Sequence, residues 1–252
     1  MHAWQELSNH LCAEAGIDES AIEQHALDGI GWIPSLTALG PLRRKKSLLL
    51  VVAKGARTAA RPASIDLPGV EAIGLDVTEP DQVDAAARAV GAADIVINNA
   101  GFSSFARLVD GGVDDIRREI DVNYFGALHV VRAFAPAMRE RGRGAFVNVS
   151  SVMAWLGYEH SNSYGASKAA NWAMSNGLRE ELAGAGIQVS SLLLGSTDTD
   201  MMKGIDAPKN RPEALVATAF DQFEDGVVEI LADEAAVALK AGLSDDRGRF
   251  AK

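Results

Sequence analysis

Between residues 47 and 233, apolar runs of strand length alternate with amphipathic runs of helix length. This alternation constrains the fold more than any other feature of the sequence. SLLLVVA (47–53), VEAIGLD (70–76), ADIVINN (93–99), GAFVNVSS (144–151), GIQVSSLLLG (186–195) and VVEILAD (227–233) are predicted strands. Most are continuous rather than alternating, as in strands covered on both faces. Predicted helices separate them. EPDQVDAAARAVG opens with an acidic, proline-containing turn and stops at Gly91. A long stretch over 113–140 places Ile116, Ile120 and Tyr124 on one face, with Gly126 and Pro136 as expected irregularities. Further helices are expected from Tyr164 to about residue 183, over RPEALVATAFDQFEDG and over DEAAVALKAGL. The predicted fold is α/β: a doubly wound parallel sheet, Rossmann-like, forming a single domain over 47–252, with ligands beyond the carboxyl ends of the strands. Residues 1–46 form an atypical helical or irregular segment.

Composition narrows the function. The 34 acidic against 24 basic residues give a net charge of −10, which repels phosphate backbones and anionic lipid, so neither nucleic acid nor membrane is an expected partner. A single cysteine, Cys12, excludes an internal disulfide framework, and the five histidines lack metal-ligand spacing, so no metal is expected. The N-terminus does not read as a signal peptide, and a cytoplasmic location is expected. NVS (148–150) matches a glycosylation acceptor but sits in an apolar strand run and is discounted.

Chemistry concentrates in NSYGASKAANWAM (162–174). Tyr164 and Lys168 lie four apart and share a helix face. A tyrosine titrates near ~10, and a neighbouring cation favours its phenolate and lowers that value. A phenol so tuned can exchange a proton with a carbonyl or alcohol oxygen. Ser151, thirteen residues earlier at a strand's carboxyl end, is placed to face Tyr164 and orient the carbonyl.

YGASK with that upstream serine resembles the short-chain dehydrogenase/reductase family. So do NNAG (Asn98, Asn99, Ala100, Gly101) at a strand end, Asn123 in DVNYFG and Asp76 in LDVT. The resemblance covers roughly residues 47–245. It implies Tyr164 as acid/base, Lys168 as its tuner and ribose ligand, Ser151 as carbonyl orienter and Asn123 as holder of a relay water. It also implies cofactor contacts at Asp76, Asn98, Ala100, Gly101 and Thr199. Arg57, read as lying just past the second strand, would pair with the 2′-phosphate of NADP, with NAD as the lesser possibility. The expected activity is carbonyl–alcohol interconversion on a small molecule, in a homodimer or homotetramer formed through the helices at 113–140 and 164–183.

One family element is missing or atypical, the opening strand with its Thr-Gly-x-x-x-Gly-x-Gly loop. DGIG (28–31) has no strand before it and is followed by Pro34. A shifted reading frame, real divergence, or a makeshift strand over 30–40 each accounts for it. The rival reading is a binding or regulatory protein of the same fold with impaired catalysis. Trp155, Leu156 and Tyr158 fit either a substrate pocket or ordinary packing, and Trp172 and Met174 fit core or interface.

Overall fold

The computed structural model describes residues 49–52 and 73–244. The atypical segment over 1–46 and Arg57 lie outside the described residues. Among the described residues, five parallel strands form one sheet in the order β1-β2-β3-β4-β5: Leu49–Val52, Ile95–Asn98, Gly144–Val149, Ile187–Leu193 and Glu229–Leu231. The same residues include six α-helices: α1 (Pro80–Val90), α2 (Val113–Ile120), α3 (Ala127–Arg141), α4 (Asn162–Ala183), α5 (Pro212–Glu224) and α6 (Glu234–Ala241). The architecture is the Rossmann-like α/β fold expected from the alternation.

The strands are sandwiched, which explains their continuous apolar runs. Val96, Phe146 and Val189 join Val130, Phe134, Met138 and Leu182 in one core. Their strand neighbours Ile95, Ile97, Ala145, Val147 and Leu192 point the other way, to Leu215, Ala219 and Phe223 of α5. Successive side chains thus serve opposite layers, as the period of two requires. Local signals stop the helices where expected: Pro80 opens α1, and Gly91 (φ 70°) and Gly142 (φ 64°) end α1 and α3 in conformations that suit glycine.

Three elements differ from expectation. β1 was expected as a second strand, but Val52 pairs with Asn98 and Leu49 with Ile95. In the doubly wound order 3-2-1-4-5-6, the place beside the fourth strand belongs to the first, so β1 takes the first strand's position. An apolar run specifies a buried strand without specifying its neighbour. The strand expected over 70–76 does not form over 73–76. There Asp76 N–H bonds Gln82 Oε1 and Asp76 C=O accepts from Glu79 N–H, so turn partners take the groups a sheet would use. The helix expected over 113–140 is interrupted by a π-helical segment, Asp121–Gly126, whereas Pro136 sits inside α3 without ending it. The π segment brings Gly126 so close to Val77 that a Cβ there would lie 2.6 Å from Val77 Cγ2. π segments are rare and cluster at functional sites.

Candidate active site

β2, β3 and β4 end at one edge of the sheet, and the sequence-predicted groups assemble there. Ser151 follows β3 and caps a short 3₁₀ turn (Val152–Ala154), its Oγ accepting from Met153 N–H at 3.2 Å. Tyr164, in the first turn of α4, is partly buried, and the side chain of Ser151 acts on its hydroxyl in favour of ionisation. Lys168, one turn further, is 3% exposed, and its Nζ lies 5.7 Å from the Tyr164 ring centroid. Ser151, Tyr164 and Lys168 therefore form one cluster.

The electrostatics reverse one expectation. Tyr164 is raised well above its ordinary value, chiefly by burial and further by the charge of Glu119, while the Ser151 hydrogen bond acts in the opposite direction. The Lys168 ammonium does not offset this, because it donates to Val149 C=O at 2.8 Å and is itself lowered to about 8 by burial. With protein groups alone Tyr164 is a neutral phenol, a proton donor.

Asn123 lies in the π segment, buried, with its amide fully engaged. Oδ1 accepts from Phe102 N–H, and Nδ2 donates to Phe102 C=O and to Ser167 Oγ, each at 2.8 Å. Its side chain clamps the chain just after NNAG. Gly101 sits beside it, where a Cβ would lie 3.6 Å from both Asn123 Oδ1 and Lys168 Nζ. A side chain at residue 101 would thus begin in contact with the ammonium, and glycine keeps that position bare.

The other predicted residues are placed as follows. Asn98 ends β2, buried, donating to Asn148 Oδ1 at 2.8 Å. Ala100 packs against the core cluster. Asp76 is engaged locally, accepting from Thr78 N–H at 2.9 Å and Thr78 Oγ at 2.7 Å. Thr199 lies in the loop after β4, which Asp233 anchors through Gly195 N–H and Asn210 Nδ2. Trp155 takes the packing role, edge-on to Trp172 with Lys240 over both rings. Met174 packs against the core, and Tyr158 is exposed.

Sequence reasoning missed a buried polar network beneath the cluster. Asn98 donates to Asn148, which donates to Ser175 Oγ; Ser175 donates to Asn171 C=O, and Asn171 Nδ2 donates to Asn123 C=O. Ser167 then links Asn123 to Tyr164 C=O. Ser167, Asn171 and Ser175 fall at intervals of four on α4. That small polar stripe on a face the fold buries was the available signal. These bonds tie β2, β3, α4 and the π segment together, while Asn98 Oδ1 and Asn171 Oδ1 are buried without a hydrogen-bond partner. Glu119, fully buried one turn before Asn123, was also missed.

A family model described as short chain dehydrogenase matches residues 42–210. The chain belongs to the short-chain dehydrogenase family. It is 32% identical over 235 residues to a 1-deoxy-11-beta-hydroxypentalenate dehydrogenase of Streptomyces avermitilis, covering 90% of this chain and 82% of that one. It is 35% identical over 149 residues to an NADPH-dependent 1-acyldihydroxyacetone phosphate reductase of Schizosaccharomyces pombe, covering 57% of this chain and 50% of that one. The chain thus spans about half the length of some of the curated relatives it matches. Among solved structures, a short chain dehydrogenase from Burkholderia cenocepacia in complex with NADP aligns at TM-score 0.68 and 35% identity, over 71% of this chain and 78% of that one. Among the described residues, no helix is long and apolar enough to cross a membrane and no acidic, histidine or cysteine cluster could hold a metal ion.

Proposed function

We propose that this chain is an NADP(H)-dependent oxidoreductase that interconverts a carbonyl and an alcohol on a small molecule, with Tyr164 as proton donor and acceptor. The observation that carries this reading is the neutral, partly buried phenol of Tyr164 grouped with Ser151 at the end of β3 and with the Lys168 ammonium one turn away, its Nζ 5.7 Å from the Tyr164 ring centroid. A carbonyl oxygen placed between the two hydroxyls would accept from both. Ser151 would hold and polarise it, and Tyr164 would deliver its proton as negative charge develops there.

A nicotinamide cofactor, when bound, would supply the hydride for reduction or receive it in the reverse direction. The chain's residues fit such a group: the backbone at Gly101, bare of a side chain, lies beside Lys168 Nζ, a cation suited to ribose hydroxyls. Asn98, Ala100, Gly101 and Thr199 would border it, with Asp76 on the adenine side. With β1 in the first strand's position, Arg57 follows the first strand rather than the second, so the second-strand placement no longer supports its pairing with the 2′-phosphate. The preference for NADP draws on the NADP-bound Burkholderia structure and the NADPH-dependent fission-yeast relative. Assembly as a homodimer or homotetramer through α2, α3 and α4 completes the reading, with Val113 and Phe125 exposed on that stretch.

Fluorescence titration of the purified full-length protein with NADPH and with NADH tests the proposal. Tight NADPH binding, at least tenfold tighter than NADH binding, is the expected result. A folded sample that binds neither would overturn it and leave the binding or regulatory reading.

A further inference from the structure

Asp233 follows β5 and caps α6, and its two carboxyl oxygens meet three N–H donors. Oδ1 accepts from Ala236 N–H at 2.8 Å, while Oδ2 accepts from Gly195 N–H at 2.6 Å and from Asn210 Nδ2 at 2.9 Å. A helix cap alone would be served as well by serine or asparagine. Three donors divided over two oxygens call for an aspartate, since an asparagine has one acceptor oxygen and would turn its NH₂ toward the remaining donors. The bond to Gly195 reaches the catalytic edge. Gly195 N–H belongs to the same planar peptide group as Leu194 C=O. That carbonyl accepts from Val152 N–H at 3.0 Å and from Ser151 Oγ at 3.4 Å. The register of β3 with β4 ends at Val149 and Leu192. Two backbone bonds, Ser150 N–H to Leu192 C=O and Val152 N–H to Leu194 C=O, carry it on to the Ser151 turn. On the other side of β4, Ala232 N–H donates to Leu193 C=O at 3.1 Å, one residue before the Asp233 side chain takes Gly195 N–H.

We infer that Asp233 is a positioning residue for Ser151, acting through the peptide group that joins Leu194 to Gly195. The inference takes from the proposed function that Ser151 orients the substrate carbonyl, but its physical core can be tested without turnover. Because the peptide group is rigid, holding its N–H fixes the direction of its C=O. The turn Val152–Ala154 is thereby held by its first N–H. Ser151 Oγ is confined between Met153 N–H, from which it accepts at 3.2 Å, and Leu194 C=O, to which it donates. The same turn lies against α4 beside the phenol: a Cβ at Gly165, the neighbour of Tyr164, would lie 2.8 Å from Met153 C=O. A shift of Leu194 C=O therefore moves the Ser151 hydroxyl relative to Tyr164, and a carbonyl that must meet both would be misplaced.

Asp233→Ser is the discriminating variant, since serine still caps α6 but lacks the second oxygen that Gly195 N–H needs. Asn210→Ala is its control, removing the other bond to Oδ2 and leaving the Gly195 bond in place. Amide hydrogen exchange, followed by NMR in the cofactor-free full-length protein, reads the link directly. In D233S the amides of Gly195 and Val152 should exchange at least about tenfold faster than in the wild type. Those of Val96 and Phe146, fully buried in β2 and β3, should keep their wild-type rates, as should Val152 in N210A. An unchanged Val152 in D233S would overturn the proposal. So would equal acceleration of all four amides, the mark of general destabilisation, or an equal acceleration of Val152 in N210A. With NADPH and 4-nitrobenzaldehyde as probe, D233S should lower kcat about tenfold in the wild-type background and not at all in Ser151→Ala. A full further loss in D233S/S151A would overturn the route through Ser151. Should the protein bind no NADPH, the proposed function fails while the exchange rates still decide whether Asp233 holds the Ser151 turn.

Discussion

Burial of Lys168 has a consequence for stability that can be worked through quantitatively. Desolvation lowers its pKa from 10.5 to about 8. The unfolded chain therefore binds a proton near Lys168 more tightly than the native one does. Where the unfolded state holds more protons, stability rises with pH, so this group's penalty is full below pH 8 and fades as the pH approaches 10.5. A displacement of about 2.5 pH units, at about 1.4 kcal/mol each, makes the penalty about 3 kcal/mol at pH 7, of which about 1 kcal/mol is left at pH 10. Lys168→Met removes the charge but keeps most of the stem. It also loses the bond to Val149 C=O, an offset that is nearly independent of pH. The prediction therefore concerns the pH dependence: the stability of the wild type relative to K168M should improve by about 2 kcal/mol between pH 7 and pH 10. Urea unfolding of both cofactor-free proteins at matched ionic strength measures it. Curves that stay parallel to within about 0.5 kcal/mol would refute the reasoning, because Lys168 would then be as well solvated as a surface lysine.

Other perturbations test neighbouring parts of the structure. Gly126→Ala forces a Cβ against Val77 Cγ2 and should cost about 1–3 kcal/mol. Combined with Val77→Ala the loss should be less than additive by at least about 0.5 kcal/mol, and strict additivity in the double-mutant cycle would reject the contact. Asn148→Ala strips partners from Asn98 Nδ2 and Ser175 Oγ and should destabilise by about 2–4 kcal/mol in chemical denaturation; a loss below about 1 kcal/mol would mean the network is dispensable. Tyr164→Phe removes the phenolic proton and should lower kcat for carbonyl reduction at least a hundredfold while NADPH still binds; retained turnover would move the proton donor elsewhere.

How much of this was legible in the sequence depended on range. Periodicity gave the strand at Ile95–Asn98 and helices such as Pro80–Val90 almost to the residue, because a strand's period of two and a helix's of 3.6 are written within a few residues. The pairing of Tyr164 with Lys168 was legible for the same reason, since residues four apart on a helix must share a face. Ser151 was reachable because a parallel sheet brings its strand ends to one edge.

The tertiary structure decided the rest. β1 lies beside Ile95–Asn98 because a strand's neighbour is chosen by distant backbone, which no local pattern records. The π turn at Asp121–Gly126 reflects what Asn123 and Gly126 meet at Phe102 and Val77, twenty and more residues away. The tyrosine's protonation follows the same logic: a cation one turn away argues for the phenolate, but burial and a buried carboxylate outweigh it. Which residues carry the phenol, the ammonium and the hydroxyl of the cluster was set by the sequence. Their pKa values were set by the dielectric and the charges around them, which exist only once the chain has packed.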